Sequence, residues 1–238
     1  MGKKNRRTNG NTQKVTANAA VAAAALEEQE RNKMSSFGQL YQSKDWEGLL
    51  QLESTATRVA NEIENLNPLQ AGIYYLYLGD AHKELGREGG VDQAIVHFQK
   101  AIEMAKKASN EDLHYGAVHN RAEYYIIRGR IQEAMDLHKS LVADIGKERL
   151  NPNYILGFTS TLIKYKEFER ALEVLLENVD AIESTWDKPE QCKAYSRIGY
   201  TFFEMHDYNK SNVNYELQLS IAKEIKDLGI ESSIVKTM

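Results

Sequence analysis

Cysteine is almost absent from this sequence: Cys192 stands alone among 238 residues. That excludes a disulfide framework and any cysteine-rich zinc site, and it suits a reducing compartment. Proline is nearly as scarce, with three. No apolar run reaches the roughly eighteen residues that a membrane-spanning helix needs, and period-two alternation is missing over any long window, so no sheet is expected. The short catalytic signatures are missing as well. There is no His-Glu-x-x-His, no Gly-x-Ser-x-Gly and no glycine-rich loop running into Lys-Ser/Thr. The expectation is a non-enzyme with no cofactor and no metal. What the chain does have is 42% hydrophobic residues, enough for a sizeable core.

The net charge of -4 hides a division. Residues 1–25 carry Lys3, Lys4, Arg6, Arg7 and Lys14 and no acid, which leaves 25 basic residues against 34 acidic ones in the body. A disordered basic tail over 1–16 is expected, since nothing before Val15 can be buried. Four roles are open to it. One is a solvated end. Another is a nuclear import signal at Lys3, Lys4, Arg6 and Arg7. A third is non-specific attraction to nucleic acid or anionic lipid. The last is targeting, with Ala19–Leu26 as a short apolar core, but alanine is weakly apolar and Glu27-Glu28 follow at once. Arg6 also makes Gly2 a poor myristoylation acceptor.

The prolines punctuate the body. Asn67-Pro68, Asn151-Pro152 and Asp187-Lys188-Pro189 each read as a helix cap followed by a first turn. Their intervals, 84 and 37 residues, fit a period near 40 if the first holds two units. A repeat is indeed present. Tyr75, Leu78, Gly79 and His82 precede Gly86 and then Ala94, Phe98 and Ala101. Tyr195, Ile198, Gly199 and Phe202 precede Tyr208, Tyr215 and Ala222 in the same order. Ala122, Tyr125, Gly129 and Ala134 hold equivalent offsets, and so do Phe158, Leu162, Phe168, Ala171 and Leu175. The small residues Ala94, Ala134, Ala171 and Ser211 recur at 40, 37 and 40 residues. A degenerate earlier unit contains Trp46 and Leu49.

These residues resemble the tetratricopeptide (TPR) family, over roughly residues 30–227. The units are longer than the usual repeat and look like those of kinesin light chains and of spindle-orientation adaptors that bind GoLoco partners. Tyr215–Glu224 carries that likeness best. The resemblance implies an all-α fold: a right-handed α-solenoid of antiparallel helix hairpins. The expected layout is the tail at 1–16, a degenerate hairpin or cap at 17–65, four hairpins over 69–227, and a partial capping helix or tail at 228–238. Gly86 and Gly129 fit left-handed helix ends, whereas Lys166 and His206 take that place elsewhere. Phe37, Thr159 and Ser211 replace small packing residues.

Isolated chemical groups read as packing. Cys192, His82 and His138 fall on core positions, and His114 and His119 are five apart, poor spacing for a shared metal. The resemblance instead points to a groove lined by first-helix residues. Carried over by position, these are Tyr77, Asp80 and Glu84; His119, Asn120 and Glu123; Ser160 and Lys164; and Lys193, Arg197, Tyr200 and Glu204. One family subset grips a terminal carboxylate with two lysines, two asparagines and an arginine. Lys193 and Arg197 match its last two members, but His119, Glu123 and Gly157 stand where Lys, Asn and Asn belong, which argues against that clamp. The expected function is a non-enzymatic scaffold or adaptor that binds a partner peptide or helix, with no membrane. A nucleic-acid-associated or nuclear factor using the tail is the alternative. The expected location is the cytoplasm, with the nucleus open through the tail.

Overall fold

The computed structural model describes residues 36–86, 90–146 and 149–226. The tail residues Lys3, Lys4, Arg6 and Arg7, and the expected cap at 228–238, lie outside the described residues. Among the described residues there are helices and no strand. The fold is all-α and TPR-like, and the chain divides into two compact units, one ending at Met104 and one beginning at Ala105.

The first unit opens with α1 (Phe37–Gln42), α2 (Trp46–Gln51) and α3 (Glu53–Ile63). Three helices thus stand where the sequence reads as one degenerate pair. Asp45 divides the first two, its carboxylate accepting from the Gly48 N–H at 2.9 Å, and Leu52 serves as both the end of α2 and the start of α3. α4 (Pro68–Leu85) and α5 (Gly90–Lys107) follow as a hairpin, with α5 running past the division in its last turn. Tyr75, Leu78, Ala94, Phe98 and Ala101 are buried along the pair. A Cβ on Gly79 would come within 2.5 Å of the Phe98 ring, so the absent side chain sets how closely these helices pack. Phe37 is buried in a cluster with Leu49, Ala56, Leu78 and Ala81.

The second unit holds α6 (Glu111–Ile127), α7 (Ile131–Ile145), α8 (Pro152–Lys164), α9 (Phe168–Glu177), α10 (Val179–Ser184), α11 (Lys188–Glu204) and α12 (Tyr208–Glu224). The first helices α6, α8 and α11 lie side by side, and α7, α9 and α12 pack on them as second helices. Asn178 interrupts the fourth pair: its side-chain N–H donates to the Val174 carbonyl at 2.7 Å, and the helix restarts as α10.

All three proline-marked starts are capped as their residue types predict. Asn67, Asn151 and Asp187 accept from the backbone N–H groups of Gln70, Asn153 and Glu190. The hairpin turns take left-handed residues at Gly86 (φ +56°) and Gly129 (φ +71°). Lys166 (φ +62°) and His206 (φ +63°) adopt the same conformation despite their side chains. Thr159 is fully buried, and its hydroxyl donates to the Ile155 carbonyl at 2.8 Å, which is how a polar residue replaces a small one there. One aromatic of the repeat is not buried. Tyr208 is 53% exposed; its ring meets Phe203 and His206 edge-on, and its hydroxyl lies 3.0 Å from His206 Nδ1.

Candidate functional site

The second unit gathers most of the candidate groove residues onto its first helices. On α6, the His119 ring lies over Gly157 of α8, and a Cβ there would stand 3.1 Å from His119 Cε1. Glycine at 157 therefore makes room for an imidazole at the very place where the carboxylate clamp expects an asparagine. Asn120 and Glu123 sit half-buried on α6, Glu123 one turn beyond His119.

On α8, Ser160 and Lys164 share a face four residues apart. Ser160 Oγ accepts from Arg197 Nε of α11 at 2.8 Å, which fixes two neighbouring first helices to each other on this face. A second Arg197 nitrogen donates to the Lys193 carbonyl at 3.3 Å. Burial lowers the Arg197 pKa from its usual value, though not by enough to discharge a guanidinium at neutral pH. Lys193 and Lys164 are exposed, the latter with its ammonium 5.5 Å from the Tyr165 ring. Tyr200 is 43% exposed; its hydrogen bond to Glu204 raises its pKa. The face thus presents two exposed lysines and a tyrosine near a guanidinium that is already oriented. It can hold a carboxylate by charge-assisted hydrogen bonds and lay an apolar stem along an aromatic ring.

The three candidates of the first unit behave differently. Asp80 is buried, and its Oδ2 accepts from the Tyr41 hydroxyl of α1 at 2.7 Å, while Lys83 approaches its other oxygen at 3.6 Å. Burial and the Asp80 carboxylate together raise the Tyr41 pKa. Tyr77 stacks on Tyr41 with ring centroids 3.7 Å apart. Both are engaged by α1 and belong to the packing of that unit. Glu84 remains exposed, 3.5 Å from Lys83.

Sequence reasoning missed a cluster in the first unit. Glu53 Oε1 lies 2.9 Å from His82 Nε2 and 2.9 Å from His97 Nε2. The three residues come from α3, α4 and α5 and are 29 and 44 positions apart counted from Glu53, so no local spacing announces them.

No family model matches the chain. It is 24% identical over 169 residues to the outer dynein arm-docking complex subunit 4 of Danio rerio. The match covers 70% of this chain and 34% of that protein, so the chain spans about a third of its curated relative. Among solved structures it is similar to BtubC (BKLC) from P. vanneervenii, with a TM-score of 0.53 at 16% identity, covering 79% of this chain and 89% of that one. A MamA double mutant aligns with a TM-score of 0.48 at 14% identity over 82% of this chain and 97% of that one. The likeness to BtubC is one of fold: a helical array of TPR-like hairpins.

Proposed function

We propose that the chain is a non-enzymatic protein-interaction adaptor, and that the α6–α8–α11 face of its second unit is where a partner segment docks. The observation that carries this reading is the Arg197–Ser160 hydrogen bond. It joins α8 and α11, the first helices that carry the exposed Lys164 and Lys193. A packing surface has no need of exposed lysines beside an ordered guanidinium, whereas recognition of a carboxylate does. The partner we infer is an extended or helical segment that brings at least one acidic side chain to Lys193 and Arg197.

Similarity to a dynein arm-docking subunit narrows the class of assembly. We infer that the chain works as an adaptor in an assembly that docks dynein arms, associated with cilia. Among the described residues no helix is long and apolar enough to cross a membrane.

The test is co-precipitation of the full chain with outer-arm docking subunits from a ciliated cell, followed by a binding titration against the subunit captured. Lys164→Glu, Lys193→Glu and Tyr200→Ala, combined in one variant, should weaken that binding at least tenfold. The melting temperature should stay unchanged, because all three side chains are exposed. Undiminished affinity in a folded variant would remove this face from the interaction. Failure to capture any docking subunit would remove the ciliary assignment.

A further inference from the structure

Glu53, His82 and His97 bring two imidazoles and one carboxylate to a point on three helices of the first unit. Their nearest ligand atoms all lie within 4.8 Å of one another. The imidazole rings are stacked with centroids 5.5 Å apart, and Tyr75 stacks on His97 with centroids 6.1 Å apart. The Tyr75 hydroxyl in turn donates to Asn61 Oδ1 at 2.7 Å, so the ring beside His97 is itself held in place. His97 is 5% exposed, and its other ring nitrogen, Nδ1, is buried without a hydrogen-bond partner.

From this convergence we infer that Glu53, His82 and His97 form a binding site for one borderline divalent transition-metal ion, of the zinc class, which ties α3, α4 and α5 together. Two imidazoles and a carboxylate are a ligand set suited to such an ion, and three protein ligands leave a fourth position for water. Metal–ligand bonds of about 2.0–2.1 Å at tetrahedral angles place donor atoms roughly 3.3 Å apart. The observed 2.9 Å separations from Glu53 need to open by only a few tenths of an ångström. To ligate through Nε2 while neutral, each imidazole carries its proton on Nδ1, so the proton that faces Glu53 moves across the ring and frees the Nε2 lone pair for the ion.

Access is available, because the Glu53 side chain is 30% exposed and borders an open surface pocket of about 580 Å³. His97 lacks the carboxylate or carbonyl that usually stands behind a ligating histidine. The affinity should therefore fall roughly 10–100-fold below that of a site so supported.

The experiment titrates the full chain, first stripped with a chelator, with Co²⁺ followed optically and with Zn²⁺ followed by thermal melting. The expected result is saturation at one ion per chain, ligand-field bands of low-coordinate Co²⁺ that Zn²⁺ displaces, and a higher melting temperature with Zn²⁺. Glu53→Gln retains an oxygen acceptor for both imidazoles while removing the charge, and His82→Gln removes one nitrogen ligand. Each should weaken binding at least tenfold, and apo melts of both variants report whether the fold persists. If His82→Gln does not fold, Glu53→Gln decides alone. Absence of saturable binding, or binding that Glu53→Gln leaves unchanged, overturns the assignment.

Discussion

His138 should make the second unit acid-sensitive. The side chain projects from α7 and is 2% exposed. Its ring stacks on Phe158 and Tyr154 of α8, with centroids 5.0 and 5.7 Å away, and Nδ1 lies 3.1 Å from the Tyr154 hydroxyl. That contact satisfies a neutral imidazole, with the tyrosine donating. Burial lowers the His138 pKa to about 4, helped by the neighbouring Lys139 charge and opposed by Glu173 of α9. Glu173 is itself held 3.3 Å from Lys139, which blunts its pull on the imidazole. The folded state therefore binds fewer protons than the unfolded state between the two pKa values. Stability must rise with pH across that window and fall as pH drops from about 6.5 to about 4. At about 1.36 kcal/mol per pKa unit, the full cost is a little over 3 kcal/mol, of which about 2–2.5 is lost between pH 7 and pH 4.5. Carboxylates and other histidines titrate in the same range, so the quantity to measure is a difference of differences. Urea unfolding of the wild type and of His138→Phe at pH 7 and pH 4.5 supplies it. The variant keeps a stacked ring without a titrating group, and its loss on acidification should be smaller than the wild type's by about 2 kcal/mol. Parallel losses, or a His138 ring resonance that titrates near its usual pKa, would refute the reasoning.

Other substitutions test the packing. Lys166→Gly relieves a left-handed residue with φ +62° and should stabilise the chain by about 1 kcal/mol in urea unfolding. His206→Gly should gain less, because it also removes the 3.0 Å contact with the Tyr208 hydroxyl. Gly199→Leu drives a side chain into Tyr215, whose ring would lie 3.0 Å from the new Cβ, and should cost roughly 1–3 kcal/mol; unchanged thermal stability would count against this helix register. Ser211→Ala removes a buried hydroxyl that has no hydrogen-bond partner and restores the alanine of the other units, which should raise stability by about 1 kcal/mol.

The fold was legible because its main determinants are local. A proline after Asn or Asp fixes where a helix starts, through a cap that needs only neighbouring residues, and Asn67, Asn151 and Asp187 all supply one. Small residues at fixed intervals mark where helices approach, as Gly79 does against Phe98. The conformation of Lys166 and His206 was harder to read, since neither residue type favours the left-handed region. There the decision belongs to the hairpin. Two helices that must turn back within a few residues impose the same φ on lysine and histidine as on Gly86 and Gly129. The break at Asn178 and the three-way division of the first unit are choices of side chain against backbone, and the helical periodicity does not record them.

The binding face was legible only in part, and the reason is which neighbour covers each helix. Position within a repeat says that Asp80 and Ser160 belong to comparable faces of their helices. It does not say what lies opposite. For Asp80 the neighbour is α1, whose Tyr41 takes the carboxylate and stacks on Tyr77, so that face closes. For Ser160 the neighbour is another first helix, α11, whose Arg197 reaches across while Lys193 and Tyr200 stay exposed, so that face remains accessible. Equivalent positions thus become core in one unit and surface in the other. Removing the Tyr41 ring ought to reopen the first: Tyr41→Ala leaves Asp80 without its hydroxyl donor and uncovers one face of Tyr77. The cost should be about 4–5 kcal/mol, because a stacked ring and a hydrogen bond to a buried charge go together. Tyr41→Phe keeps the stack and loses only the bond, so it should cost about 1.5–3 kcal/mol. Equal stability of Tyr41→Phe and wild type in urea unfolding would mean that Asp80 finds water instead, and that this face is open after all.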